Sequence, residues 1–301
     1  MKKGIALLIT VLFVMAITVA IGVGLRQVKE ASWHMENENF MLQASTVLDD
    51  VLNILQSSKE LEQLAQNKSS AELFTFLSSV SFIPLESSGL KMDIKISSAR
   101  SNFNVNSLVD ADNIINTDRV NILNEYLSKY KVNIGYVDIL LDVMRGDENI
   151  TYNRAIFDEK PYLFRDYVAS EKHLNEVDDF YMKTYHNNNL KRIDFANLFY
   201  FSKNKNIAID LNYATMEVWK MMLGCDKKKA TQLASGYGGY SSLEDLSLNG
   251  EEKLALAKFQ TSYFEPYLDV VIDITQNYKN AKIRFEYDIQ TKKGSNFVYE
   301  I

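Results

Sequence analysis

Residues 1–25 read MKKGIALLITVLFVMAITVAIGVGL. Lys2, Lys3 and Gly4 precede a run, Ile5 to Leu25, that carries no charge. As a helix rising about 1.5 Å per residue, the run covers roughly 30 Å, the thickness of a bilayer core. A secretory signal has an apolar core of about 7–15 residues, with a small-residue cleavage site beyond it. Here the core is longer, and Ile21-Gly22-Val23-Gly24 leads straight into charged sequence. The small residue, Gly4, sits before the run instead. The layout predicts a leader over 1–4 and a transmembrane helix over 5–25 that stays with the mature protein. Lys2 and Lys3 balance Arg26 and Lys29 across the run, and the free α-amino group tips the count inward. The expected orientation is amino terminus in the cytoplasm, bulk of the chain outside.

Beyond the anchor the pattern turns amphipathic. Val47, Leu48, Val51, Leu52 and Leu55 recur at helical spacing, with Asp49, Asp50 and Asn53 between them. A helix that is apolar all round and then on one face is first a membrane helix and then a packing helix. Its amphipathic continuation is expected over 26–66. Strand signals bracket the rest. Met92, Ile94 and Ile96 alternate with polar residues; so do Ile283, Phe285, Tyr287 and Ile289, and Phe297, Tyr299 and Ile301 alternate with Val298 and Glu300. Lys293-Gly294-Ser295 reads as the turn between the last two runs, and Val270 to Ile274 is a further strand. These predict half-buried antiparallel strands on one sheet, built from 67–109 and 269–301.

Between the strand groups, over 110–268, the period is helical. Val120, Leu123, Leu127 and Tyr130 fit one helix; Val137, Leu140, Leu141 and Met144 fit another. Thr215 reads as the cap of a helix carrying Val218 and Met222. Ser241 with Glu244, and Asn249 with Glu252, have capping-box spacing. The fold class is therefore α+β: a long N-terminal helix on an antiparallel sheet, with a large helical domain inserted between strands.

Composition narrows the function classes. The chain has 301 residues, 33 basic and 39 acidic, for a net charge of −6. That balance disfavours a general nucleic-acid binder, which needs a basic face to release counterions. One cysteine, Cys225, and three prolines rule out an internal disulfide and a Pro-rich linker. No nucleophile elbow and no phosphate-binding loop is present, and His34, His173 and His186 each stand among polar neighbours. The chain reads as non-enzymatic.

Two stretches hold candidate sites. Asp142, Asp147 and Glu148 lie where the Val137–Met144 helix should end, and Asp158 and Glu159 follow a short loop. Calcium takes six to eight oxygens from such loops, so Asp142, Asp147, Asp158 and Glu159 are candidate Ca2+ ligands; the plainer reading is a solvated acidic loop. Residues 209–246 lay out a helix-hairpin-helix. A helix ends at Leu223-Gly224 and another begins near Lys227, with Gly224 permitting the turn and Ala230 allowing close helix contact. Lys227, Lys228 and Lys229 suggest phosphate contacts, but the acidic balance favours packing or docking.

Three pieces in this order resemble the type II secretion minor pseudopilin K family. They are the MKKG-IALLITVLFVMA start, the Ser101-Asn102-Phe103-Asn104-Val105-Asn106-Ser107-Leu108 stretch, and Ile209-Asp210-Leu211-Asn212-Tyr213-Ala214-Thr215 ahead of the hairpin. Pro161-Tyr162 and the Glu171–Val177 segment also look like the family's intervening run. The resemblance implies a pilin-like fold and a minor pseudopilin at the tip of a pseudopilus, taking part in protein export. It implies cleavage by a prepilin peptidase between Gly4 and Ile5, N-methylation of Ile5, and residence in the inner membrane with most of the chain periplasmic. It implies other minor pseudopilins as partners, with the secretion pore and exported substrates as further contacts. Most pilins carry glutamate at the fifth mature position; Ile9 stands there, as suits a subunit with no neighbour to satisfy a buried charge. The run Asp142-Val143-Met144-Arg145-Gly146-Asp147 departs from the family's calcium-binding pattern. The alternatives are a minor pilin of a type IV pilus and a membrane-anchored helix-hairpin-helix DNA-binding protein.

Overall fold

The computed structural model describes residues 37–87, 89–145 and 155–300. The leader, the 5–25 run, Gly4, Ile5, Ile9 and Asp147 lie outside the described residues. Among the described residues no helix is long and apolar enough to cross a membrane.

The first helix, α1 (residues 37–57), turns Phe40, Ala44, Leu48, Val51 and Leu55 inward. The helix expected to run on to residue 66 breaks at Ser58. Ser57 Oγ donates back to the Asn53 carbonyl, and Ser58 takes extended backbone and accepts from Leu61 N, capping a new helix, α2 (Lys59–Asn67). Serine competes with the helix ladder in this way and favours N-caps. A third helix, α3 (Ser70–Val80), follows. Residues 70–80 were grouped with the sheet by sequence; they form a helix, capped by Ser69, with Leu73 and Leu77 buried.

Five strands then make one antiparallel sheet: β1 (Phe82–Ser87), β2 (Leu90–Ser98), and, after a long excursion, β7 (Tyr267–Gln276), β8 (Lys279–Asp288) and β9 (Lys293–Glu300), in the order β1-β2-β7-β8-β9. Ile94 sits opposite Ile272, and Ile272 opposite Ile283, so the apolar residues of successive strands share one face. That face closes on α1, α2 and α3 as a single core. Lys293-Gly294-Ser295, expected as a turn, opens β9 instead. Asp288 accepts from Gln290 N, Thr291 N and the Thr291 hydroxyl, and this Asx turn places the reversal at 289–292.

Residues 99–266 leave the sheet between neighbouring strands β2 and β7 and build a second core. Its helices are α4 (Thr117–Ser128), α5 (Gly135–Arg145), α6 (Ala155–Glu159), α7 (Glu171–Tyr185), α8 (Met216–Leu223), α9 (Lys227–Ala234) and α10 (Gly250–Leu256). Two short parallel pairs brace it: β3 (Phe103–Asn104) with β4 (Phe199–Tyr200), and β5 (Ile209–Asp210) with β6 (Thr261–Ser262). Phe103, Val105, Leu108 and Val109 pack in this second core, so residues assigned to the sheet by sequence belong to the helical body. Thr215 caps α8, and Asn249 forms a full capping box with Glu252. Ser241 does not pair with Glu244; Asp245 accepts from Ser241 N, Ser241 Oγ and Ser242 N, and only a short 3₁₀ turn follows.

A buried polar cluster joins the two cores. Arg100 is 4% exposed and Glu286 6%. The guanidinium grips the carboxylate in parallel, Nη1 to Oε2 at 2.7 Å and Nη2 to Oε1 at 2.9 Å. Tyr200 of β4 donates to Glu286 Oε2 at 2.7 Å, and the Arg100 guanidinium lies 4.0 Å from the Tyr267 ring centroid. Burial alone would raise the Glu286 pKa; the hydrogen bonds and charge of Arg100, with Tyr200 and Asn296, outweigh it and the pKa is lowered. Replacing Arg100 with methionine leaves that carboxylate buried and unpaired, at a cost of about 3–5 kcal/mol. Denaturant unfolding of Arg100→Met should show it, with a smaller loss when Glu286→Leu is added. An unchanged midpoint in the single variant would refute the role given to the pair.

A different carboxylate works against the fold at neutral pH. Burial pushes the Asp178 pKa up to about 7, with Asp179 adding to the rise, although Tyr136 donates to Asp178 at 2.7 Å. The unfolded value is about 3.9. A folded pKa above the unfolded one means stability is fully present below about pH 4 and lost as pH rises through about 7. Asparagine keeps an oxygen for Tyr136 and carries no charge. Asp178→Asn should therefore match the parent at pH 4 and exceed it by about 1 kcal/mol or more at pH 8, read from melts across that range.

Candidate functional site

The two motif segments place asparagines where the backbone of the helical body needs partners. Asn106, fully buried in the 3₁₀ turn (Val105–Leu108) that follows β3, donates to the Val168 carbonyl at 2.9 Å and accepts from Val168 N at 2.7 Å, as a strand neighbour would. Its amide also donates to the Ser202 carbonyl. Asn104 accepts from Ser202 N and donates to the Ser202 and Asn204 carbonyls. Asn102 reaches the Ala196 and Phe199 carbonyls. In the second segment Asn212 donates to the Tyr240 and Tyr263 carbonyls and accepts from Tyr240 N. Asp210 accepts from Asn212 N and Glu265 N while burial holds its pKa up at about 7. These side chains substitute for missing ladder bonds in irregular buried chain.

The helix-hairpin-helix is built as its spacing suggests. α8 ends at Leu223, Gly224 turns the chain at φ 63°, and α9 starts at Lys227. Ala230 is fully buried against the second core. Several groups that could take a phosphate have internal partners, although Lys227 and Lys228 stay exposed. Asp226 caps α9, accepting from Lys229 N at 2.8 Å, so a carboxylate already occupies the positive helix end. Lys229 pairs with Glu252 at 2.6 Å, and Lys129 donates to the Gly224 carbonyl at 3.1 Å. Below the turn, Tyr126 and Lys220 both donate to Glu217, tying α4 to α8. The hairpin is a packing element of the helical body.

The neighbouring glycine-rich loop is a junction. At Gly238, φ 77°, a Cβ would stand 2.6 Å from the Ser70 carbonyl oxygen. Tyr213 donates to the same oxygen at 2.9 Å, and the Ser70 hydroxyl donates to the Tyr263 carbonyl. The loop and the second motif thus lock the helical body onto the start of α3.

Of the acidic candidates, Asp147 lies outside the described residues, and the other three are spread over two helices. Asp142 is 3% exposed on α5, whereas Asp158 and Glu159 are exposed on α6 and Glu159 pairs with Lys183 at 2.8 Å. Among the described residues no group of three or more His, Cys, Asp or Glu could hold a metal ion. His173 is buried, His186 lies exposed at the end of α7, and burial raises the Cys225 thiol pKa.

What remains open is surface. α1 exposes Met41, Leu42 and Ile54, and the edge strand β9 exposes Phe297 and Tyr299. Phe297 stacks on Phe285 of the sheet–helix core at 5.4 Å between ring centroids, so this side of β9 faces the same way as α1. Sequence reasoning missed Arg100, Glu286 and the asparagine staples. A signal existed only for the asparagines: several within a few residues of one another among apolar neighbours.

No known protein-family profile matches the chain, and no curated protein matches it. Among solved structures, a chain of the GspK–GspI–GspJ complex of the type 2 secretion system of enterotoxigenic Escherichia coli is similar over 86% of this chain and 98% of that one, at 13% identity and a TM-score of 0.45.

At Gly224 the added Cβ of alanine would meet only Lys129 Nζ, at 3.8 Å, so there is room for it. The cost of Gly224→Ala is then the left-handed backbone alone, about 1–2 kcal/mol. Chemical denaturation should register that loss; a loss much larger than this would mean the turn bears contacts beyond its backbone conformation.

Proposed function

We propose that this chain is a non-catalytic minor pseudopilin at the tip of a type II secretion pseudopilus, taking part in protein export. One observation carries the reading. A helix, α1, lies along one face of an antiparallel sheet, and the charge-free run of residues 5–25 precedes it in the sequence, with residues 26–36 between them. An apolar span continued by a helix that rests on a sheet suits a subunit that leaves the bilayer and stacks its helix among others. The apolar side chains that α1 and β9 leave exposed are the surface for neighbouring minor pseudopilins.

The inserted body of residues 99–266 supports a place at the end of the filament. It is larger than the sheet it interrupts, and the Arg100–Glu286 cluster and the Ser70 junction hold it there firmly. A body of that size, fixed beside the sheet, obstructs a subunit stacked above and is free only at the tip. From there it would meet the secretion pore or an exported substrate. In this scheme a prepilin peptidase cuts between Gly4 and Ile5, Ile5 is N-methylated, and the precursor waits in the inner membrane with its bulk in the periplasm. Ile9 in place of glutamate fits a subunit without a partner above. The internal partners of Asp226, Lys229 and Gly224 weigh against the DNA-binding alternative, since phosphates would have to displace them.

Two measurements test the reading together. Mass spectrometry of the chain from cells that carry a prepilin peptidase should find methylated Ile5 at the amino terminus. Co-expressed with candidate minor pseudopilins, the chain should co-purify with them. An intact Met1, or a product that begins beyond Leu25, would sink the proposal.

A further inference from the structure

A groove of about 650 Å³ opens at the amino end of α7, a volume in the range of small-molecule sites. One wall is apolar and aromatic: Pro161, Tyr162, Leu163 and Phe164. Tyr162 is 99% exposed and Phe164 49%, although both are large rings that folding ordinarily covers. The other wall is the first turn of α7, with Ser170, Lys172 and His173.

His173 gives the groove its polarity. The residue is 8% exposed, and Nδ1 accepts a hydrogen bond from Ala169 N at 3.2 Å. With Nδ1 acting as acceptor, the neutral ring carries its proton on Nε2. That Nε2 is buried and has no hydrogen-bond partner. Such a donor is costly to leave unmade. Phe164 stands edge-on to the imidazole, ring centroids 6.2 Å apart, and a ligand reaching Nε2 requires neighbouring side chains to move aside.

The charges around the groove are uneven. Its two carboxylates are each engaged, Glu176 by Lys160 and Glu159 by Lys183. Lys160 is itself neutralised by its pairing. Lys172 has no ion-pair partner among the described residues, and it sits in the first turn of a 15-residue helix, at the positive end of the helix dipole. The groove is an apolar slot with one cation outside any ion pair, Lys172, which acts on Glu176 at longer range and has the exposed Glu171 beside it, and one buried neutral donor without a partner.

We infer that this groove binds a small apolar carboxylate, whose hydrocarbon or aromatic body lies against Tyr162 and Phe164 while its carboxylate accepts from His173 Nε2 and pairs with Lys172. A polypeptide ending in an apolar residue offers the same chemistry, but the groove is local and its volume suits a single small acid.

The test uses the full chain in detergent micelles, with empty micelles as blank, titrated calorimetrically with 3-phenylpropionate and with its neutral amide. The acid should bind saturably with one site per chain, and the amide at least tenfold more weakly. Lys172→Gln, a change at an exposed position, should bring acid and amide to within about twofold of one another by weakening the acid alone. His173→Leu should weaken both ligands at least fivefold. Absence of saturable binding by the acid, equal binding of acid and amide, or a preference that survives Lys172→Gln each overturns the assignment. A third ligand, acetyl-Ala-Ala-Phe with a free carboxylate, separates the sources: binding by the peptide with none by the small acid overturns the small-molecule reading. Should His173→Leu fail to fold, the Lys172→Gln comparison decides alone.

Discussion

The bidentate pair between Arg100 and Glu286 is the constraint on which the rest of the architecture turns. β2 and β7 are neighbours in the sheet, yet residues 99–266 separate them in the chain. A body of that size, attached through two adjacent strand ends, would swing unless something fixed its angle. Arg100 stands two residues past β2, Glu286 is on β8, and Tyr200 comes from β4 inside the helical body. Their convergence ties the exit strand, the sheet and the insert at one point. A buried ion pair is poor evidence for net stability, because desolvation offsets much of the attraction. It is good evidence for a unique arrangement, since any other docking angle strands a charge in the interior.

The second junction makes the same point with neutral groups. Gly238 allows the loop backbone to approach Ser70, and Tyr213 and Tyr263 complete the contact. With two attachments, rotation of the insert about either is blocked. The helix-hairpin-helix is part of this frame. Lys229 and the capping Asp226 are engaged within the body, while Lys227 and Lys228 face outward.

Much of this was legible in the residues. Val137, Leu140, Leu141 and Met144 announced α5, Thr215 announced α8, and the alternation at 92–96, 270–274 and 283–289 announced three strands of one antiparallel sheet. Such patterns are local and repeat with the period of the element that makes them. Boundaries fared worse. Ser58 ended α1 early because a serine can cap as readily as continue, and Asp288 moved a hairpin turn away from the glycine at 294. The helix over 70–80 was hidden because Leu73 and Leu77 alone mark its buried face. Of the candidate metal ligands that are described, Asp142 turns inward on α5 and Glu159 outward to Lys183.

By itself the chain marked its most regular helices and strands, the apolar run that precedes them, and a helical body between the strand groups. Those properties follow from side-chain periodicity and charge, which act over a few residues. Only the tertiary structure decided the roles of Glu286, Arg100, Asn106 and His173. Glu286 stands in strict alternation on β8 and reads as a solvent-facing charge. It is buried because the sheet's second face is covered at that point by the inserted body, Arg100 and Tyr200 meeting it from 186 and 86 positions away. No local pattern encodes which polar side chain will find a partner across such a distance; burial and pairing are properties of the packed whole.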